Sequence, residues 1–520
     1  MPEIAIINPR FEVSYWGMEH ALPLLGKRAN LPVAALPLLA ALTPEEHHVT
    51  LVDENVQALD FDRLAQTDIV CLTGMSVQRL RMREILTELK ERGAFTVVGG
   101  PWVSVQEDYF GELADVIFVG EAEETWPQFL EDWKQGRHQH RYEQPEKTDM
   151  TKVPTPRFDL LKMQHYLFGS VQFSRGCPFQ CEFCDIIVTF GRRPRLKTGP
   201  QIIAELELLR AQGIEIAFIV DDNLIGNKKA IKVLLKELIA YQNANGYPFD
   251  FFTEASLDLA EDQELLELMV EANIISVFIG IESPNEASLR ETKKYQNVRP
   301  AGTIVERVHR IQKAGIEVWC GMILGFDNDD SSIFQAQSRF LTEARISTAM
   351  IGMLSAIPKT PLHARLAKEG RLDPCDEPEF GTNVIPLRLS REELRDGYTR
   401  LMADIYEPAT FFDRLEDLYL REKMPYNQAV VRFWKRHPLT WLASQIRNLA
   451  TCVVLYRRLM RRIPEASLRR EYRRRMGRFI KARPDPNLLI IFLFKCAMHY
   501  HQFTMAKEMA TGRSPIYNSI

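Results

Sequence analysis

Residues 168–185 read Phe-Gly-Ser-Val-Gln-Phe-Ser-Arg-Gly-Cys-Pro-Phe-Gln-Cys-Glu-Phe-Cys-Asp. The stretch begins as an apolar strand, Val171–Ser174, and turns at Gly176 into a loop carrying Cys177, Cys181 and Cys184 in the spacing C-x3-C-x2-C. Three thiolates on so short a loop can hold three irons of a [4Fe–4S] cube and leave the fourth iron without a protein ligand. A reactive cluster needs that open iron, whereas an electron carrier closes all four. A structural zinc site would want a fourth Cys or His. The nearest histidines, His165 and His309, lack ligand spacing. The other five cysteines are scattered, and Cys71 and Cys320 lie in apolar runs where buried thiols act as small hydrophobes.

Outward from the cysteines, strand-like and helix-like runs alternate. Candidate strands are Val171–Ser174, Ile216–Asp221, Phe249–Glu254, Ser276–Glu282, Glu317–Leu324 and Ala349–Leu354. Between them lie helical patterns at Pro200–Ala211, Lys229–Ala244, Ala260–Ala272, Thr303–Ala314 and Ser331–Glu343. Six such βα units make a partial (β/α)6 barrel, whose active site lies at the C-terminal ends of the strands. Those ends carry Ser174–Cys184, Asp221–Asn223, Glu254–Ser256, Glu282–Asn285, Gly325–Asp327 and Ser355–Pro361, so polar residues and glycines gather where that architecture puts chemistry.

The N-terminal part alternates in the same way. Ile4–Ile7, Val49–Asp53, Asp68–Thr73, Phe95–Gly99 and Val116–Gly120 are short runs apolar on both faces, as buried parallel strands are. Val77–Arg92 is the clearest intervening helix, ended by Gly93. Five strands and their helices predict a doubly wound, Rossmann-like domain. The expected organisation is therefore this domain at 1–140, a proline-interrupted linker at 141–168, the barrel at 169–365, a mixed barrel-capping region at 366–430 and a helical domain at 431–520. Within the capping region, Ser390 and Glu393 predict a capped helix over Ser390–Tyr406.

The net charge of −4 conceals an asymmetry. Residues 431–520 hold 19 Lys and Arg against 4 Asp and Glu, leaving 46 basic and 65 acidic residues before them. Arginines there alternate with apolar residues such as Trp441, Leu442, Ile446, Leu449 and Val453, and Asn487–Phe494 is a further apolar run. Mixed basic and apolar helices predict a membrane-surface element. The other two readings are a basic face packed on the acidic body, and an RNA-binding surface. The latter is disfavoured because the aromatics sit in apolar runs, not as separate stacking platforms. Mean hydropathy is −0.20, and no apolar run reaches the length of a spanning helix. The N-terminus, MPEIAIINPR, lacks the basic start and apolar core of a secretory signal, so a cytoplasmic, peripherally membrane-associated protein is expected.

The C-x3-C-x-Phe-C motif on the loop after the first strand of a partial barrel resembles the radical S-adenosylmethionine enzymes. The resemblance implies that Cys177, Cys181 and Cys184 bind the cluster and that the open iron takes S-adenosylmethionine (SAM). It places Phe183, Asp221, Asp222, Asn223, Glu254, Ser256 and Glu282 around SAM, with the glycine segments 279–283 and 321–325 shaping the adenosine side. A doubly wound domain ahead of the barrel resembles the cobalamin-binding domain of one large subclass. That likeness implies corrinoid contacts from Asp53, Asn55, Gly74, Ser76, Gly99, Gly100, Pro101, Gly120 and Glu121, all at strand ends. The Asp-x-His-x-x-Gly motif of other cobalamin proteins is absent, so no histidine is expected to ligate cobalt from below.

Most members of the subclass are methylases. Over roughly residues 1–425 the chain resembles the hopanoid C-2 methylases, on Phe168–Cys177, on Thr189–Arg195 (Thr-Phe-Gly-Arg-Arg-Pro-Arg) and on Phe252–Asp258 (Phe-Thr-Glu-Ala-Ser-Leu-Asp). The implied function is methylation of an unactivated hopanoid ring carbon, with an external one-electron reductant of the flavodoxin or ferredoxin type. The alternatives are the same chemistry on another lipid, a tetrapyrrole or a nucleic acid, and a non-catalytic metal protein binding membrane or RNA. No general base is assigned.

Overall fold

The computed structural model describes residues 1–298, 301–512, 516 and 518. The remaining positions, which include the end of the expected 431–520 region, lie outside the described residues.

The N-terminal sheet contains β1 (Glu3–Asn8), β2 (His48–Asp53), β3 (Ile69–Thr73), β4 (Thr96–Gly99), β5 (Val116–Val119) and β6 (Arg141–Glu143). All pairings are parallel, in the order β2-β1-β3-β4-β5-β6. The order reverses between β1 and β3, the switch point beside which doubly wound sheets bind ligands at the strands' C-terminal ends. Five strands fall where the apolar runs predict them. The sixth is a correction to the expected linker: Arg141-Tyr142-Glu143 pairs with β5 at the sheet edge. Only Tyr142 of the three is buried, stacked on Phe118, so this strand has no apolar run to betray it.

The second sheet is built from β7 (Gly169–Val171), β10 (Ile216–Ile219), β11 (Asp250–Glu254), β12 (Ile274–Glu282), β13 (Glu317–Leu324) and β14 (Ala349–Met353). Each strand pairs in parallel with the next in chain order, from β7 to β14, which is the arrangement of the expected open six-stranded barrel. Phe218, Phe252 and Trp319 form an aromatic plug with Phe168 and Phe278, Phe218 and Phe252 stacking at 4.6 Å. The expected first strand is split. β7 stops at Val171, and a separate two-residue strand, β8 (Ser174–Arg175), pairs antiparallel with β9 (Arg195–Leu196). The cysteine loop is therefore a closed excursion between β8 and β9.

Helices follow the strands at Gly199–Ala211, Lys228–Asn245, Gln263–Glu271, Ile304–Ala314 and Ile333–Glu343. The third starts later than its apolar pattern suggests, because Asp262 caps it by accepting from Leu265 N. The helix Arg391–Ile405 has the expected Ser390–Glu393 capping box.

Four further helices follow among the described residues: Gln428–Arg436, Pro438–Arg462, Ala466–Ala482 and Pro486–Ala510. The last corrects the surface reading of Asn487–Phe494, since Leu488, Phe492 and Leu493 belong to the main core. It runs beneath the barrel. Its Lys495 bonds Glu317 at 2.6 Å and Thr348 Oγ1 at 2.9 Å, and its ammonium lies 4.8 Å from the Trp319 ring. Burial pulls His499 and His501 of the same helix down to about 3, so both are neutral core residues, bonded to Tyr472 and to the Ser14 carbonyl respectively. The helix Ala466–Ala482 answers the acidic body: Arg475 meets Asp413 and Glu416 there, and Glu471 of its own helix.

Candidate functional site

The cysteine loop is held by its own backbone and by the end of β10. Gly176 sits at φ +97°, and a Cβ there would lie 2.9 Å from the Gly191 carbonyl, so this turn requires glycine. Cys177 N donates to that same carbonyl. Asp221 is buried and accepts from Phe173 N at 2.8 Å and Ser174 Oγ at 2.6 Å, while Asp222 accepts from Gly176 N at 2.8 Å. Burial pushes Asp221 up to about 7 and Asp222 up to about 6. The two aspartates thus clamp the base of the cysteine loop.

The three cysteines are free thiols, and burial raises Cys177 and Cys184 above the usual thiol range. Among the described residues, no three His, Cys, Asp or Glu side chains close around one ion. A cube does not require that, because each thiolate meets a different iron. Two amides face the sulfurs: Asn223 Nδ2 lies 3.9 Å from Cys177 Sγ, and Gln296 Nε2 lies 3.5 Å from Cys181 Sγ. Gln296 is buried, and its Oε1 finds no partner among the described residues. Sulfurs approached by amide donors are suited to thiolate charge, which fits an iron–sulfur group.

The other strand-end residues expected at the site gather beside this loop. Asn223 and Ser256 are tied to each other, Nδ2 to Oγ at 3.1 Å and Ser256 N to Oδ1 at 3.2 Å. Glu254 is pushed up to about 8 by burial and by the neighbouring Asp222 carboxylate. Glu282 accepts from Lys294 Nζ at 2.6 Å, and that ammonium also stands 5.9 Å from the Phe183 ring. No motif or spacing in the sequence marks Lys294 and Gln296. They lie in a segment that docks under the loop, with Thr292 O accepting from Glu182 N.

In the N-terminal domain a cavity of 310 Å³ opens at the C-terminal ends of β3, β4 and β5. Gly74, Gly99, Gly100, Pro101, Gly120 and Glu121 line it. Gly100, at φ +96°, lies against Thr73 and Gly74 so closely that a Cβ would fall 2.5 Å from Thr73 Oγ1. At Gly120, where a Cβ would meet nothing, the missing side chain leaves the backbone open to the cleft. Asp53, Asn55 and Ser76 do not line it. Asp53 instead accepts from Tyr166 Oη, Asn8 and Asn55, in an internal network.

The cleft and the cysteine loop share a wall. Arg175, two residues before Cys177, lines the cavity together with Gln172, Thr189 and Phe190. Its guanidinium is buried between Glu121 at 2.8 Å and Glu123 at 2.6 Å, and Arg195 joins Glu121 at 2.9 Å. The loop after β5 is thereby bolted to the strand that launches the cysteines. Opposite charge in Gly120–Glu123 and Ser174–Gly176 was the available sequence signal for these arginines, but nothing in the sequence pairs them.

The radical SAM superfamily model matches residues 171–336, and a domain of unknown function, DUF4070, matches residues 360–514. An uncharacterized methyltransferase of Synechocystis sp. is 41% identical, covering 81% of this chain and 79% of its own. The hopanoid C-2 methylase of Rhodopseudomonas palustris is 33% identical, covering 99% of this chain and 95% of its own. Among solved structures, the cobalamin-dependent S-adenosylmethionine radical enzyme OxsB, with aqua-cobalamin and S-adenosylmethionine bound, shares the fold. Its TM-score is 0.59 at 15% identity, over 99% of this chain and 81% of that one.

Proposed function

This chain belongs to the radical S-adenosylmethionine methyltransferases, the family of the hopanoid C-2 methylase, and we propose that it methylates an unactivated ring carbon, C-2, of a hopanoid. When bound, a [4Fe–4S] cluster and SAM supply a deoxyadenosyl radical for hydrogen abstraction, and cobalamin supplies the methyl group. Cys177, Cys181 and Cys184 hold the cluster, with Asp221 and Asp222 clamping their loop and Asn223 and Gln296 donating to its sulfurs. Asn223, Glu254, Ser256, Glu282 and the backbone of Phe183 take SAM. Gly74, Gly99, Gly100, Pro101, Gly120 and Glu121 receive the corrinoid, with Arg175 and Phe190 on the side nearest the cysteines.

The observation that carries this reading is Arg175, because one buried side chain serves both the corrinoid cleft and the cysteine loop. Two reactive groups must stand close for a radical carbon and a methyl donor to meet, and a shared wall supplies that proximity. Full-length similarity to the hopanoid C-2 methylase supports the substrate. A hopanoid resides in a bilayer, so we assign membrane contact to region 431–520 through the part not packed on the body, on the cytoplasmic side where a flavodoxin or ferredoxin can deliver electrons.

Lipid profiling tests the reading. In a host lacking the gene, 2-methylhopanoids disappear, then return with the wild-type gene but not with all three cysteines replaced by alanine. Unchanged 2-methylhopanoids with loss of another methylated lipid or tetrapyrrole overturns the substrate and keeps the chemistry. A colourless, iron-free protein from anaerobic purification overturns both.

A further inference from the structure

The Pro438–Arg462 helix is pinned to the body along one side only. Ser444, Cys452 and Leu459 are buried there, Asn448 bonds Asn487, and Arg458 and Arg462 donate to the carbonyls of Leu25 and Pro23. The opposite side is apolar and open. Leu439, Leu442, Ile446, Leu449 and Val453 recur at alternating spacings of three and four, which is one straight line along a helix. All five are exposed, Leu439 by 83% and Ile446 by 64%, and Trp441 and Val454 flank them, also exposed. No other helix among the described residues leaves so many large apolar side chains uncovered. The line is about 21 Å long at 1.5 Å per residue.

Cations stand at both ends: exposed Lys435 closes the preceding helix, before the break at His437, and Arg457 and Arg461 continue the line beyond Val453 at steps of four. None of these three has an ion-pair partner among the described residues. Residues 431–464 contain eight Lys and Arg and no Asp or Glu.

We propose that the outward face of the Pro438–Arg462 helix is a docking surface for an anionic lipid bilayer, on which the helix lies parallel to the membrane. This deepens the assignment of region 431–520 and rests on that reading, but narrows it to one helix face, the following two helices being committed to the body. The chemistry selects the occupant. An apolar line bracketed by free cations matches acyl chains bordered by anionic headgroups. A second copy of this face would set cation against cation at both ends. A nucleic acid would find no donors along the centre. The helix is no span, since no described helix is long and apolar enough to cross a membrane.

The test is sedimentation of the full-length, cluster-loaded protein with vesicles of phosphatidylglycerol and phosphatidylcholine, against vesicles of phosphatidylcholine alone. Wild-type protein is expected to pellet with the anionic vesicles, and less so as salt rises. The double variant Ile446→Glu/Leu449→Glu should bind about tenfold or more weakly. Val233→Glu, which places the same charge on an exposed apolar site elsewhere, should bind as wild type. Both substituted sites are solvent-exposed, and unchanged thermal melting confirms folding. If wild type binds and the double variant binds equally, this face is not the surface, although the membrane reading stands. If wild type does not bind, both fail, while hopanoid methylation in detergent remains separately measurable. A concentration-dependent dimer that the double variant abolishes, without vesicle binding, makes the face a self-association surface and overturns the proposal.

Discussion

Replacing Gln296 by leucine removes the amide that faces Cys181 and little else. The side chain is buried, its Nε2 stands 3.5 Å from the sulfur and its Oε1 is already without a partner. Leucine is one bond shorter than glutamine and carries no polar atom, so the substitution also relieves an orphaned acceptor. Folding stability should change by less than about 1 kcal/mol. The redox consequence is different. A donor to a ligand sulfur favours the more negative, reduced cluster, and losing it disfavours reduction. If the bond is worth about 1 kcal/mol more in the reduced state, a one-electron couple shifts by about 40 mV. Reconstituted wild-type and Gln296→Leu proteins can be titrated potentiometrically, with the reduced cluster followed by electron paramagnetic resonance. The expected midpoint is lower in the variant, at equal iron content and equal melting temperature. A midpoint unchanged or raised refutes the role given to Gln296, and a loss of iron would mark it as a structural support.

Three further outcomes follow from the geometry. Cys177→Ala, Cys181→Ala and Cys184→Ala should each yield protein that folds but fails to retain a full cluster, read from iron and sulfide content after anaerobic reconstitution. Arg175→Met leaves Glu123 buried without its cation, while Glu121 keeps Arg195; the cost should be about 3–5 kcal/mol in chemical denaturation, with weakened corrinoid retention. Glu254 titrates at about 8 in the folded chain against its ordinary 4.5. The folded state therefore holds the extra proton between those values, so stability of the cluster-free protein falls as pH rises from 5 to 8, and Glu254→Gln should flatten that slope in urea melts.

How much of this was legible in the sequence depended on whether a residue's role is local. Strands β1 to β5 and β10 to β14 announce themselves because both faces are buried, leaving continuous apolar runs. β6 does not, since only Tyr142 turns inward at an exposed edge. The cysteines are legible because their spacing is itself the chemistry. Arg175 and Glu121 are 54 residues apart and on different sheets, and Gln296 meets Cys181 across 115 residues. Pairings of that range leave no periodic trace. The same applies to Lys495, whose charge reads as part of a basic surface until Glu317 is found beside it. Aspartates 221 and 222 show the converse: their sequence context marks them, yet the atoms they bond belong to the loop's backbone and Ser174.

The helix Pro486–Ala510 bonds residues at the starts of β13 and β14, on the side of the barrel away from the cysteines. In order of synthesis it leaves the ribosome well after the barrel is complete. At roughly 5–20 residues per second, the stretch from β14 to that helix takes on the order of ten seconds to make. During that interval Glu317 has no cation and the Trp319 plug has no floor. The nascent barrel is therefore an intermediate with a cysteine loop already present and an unsealed base, and it needs either a holding chaperone or rapid completion. Truncations before residue 486 should consequently aggregate, however intact their cysteine motif and glycine-lined cleft.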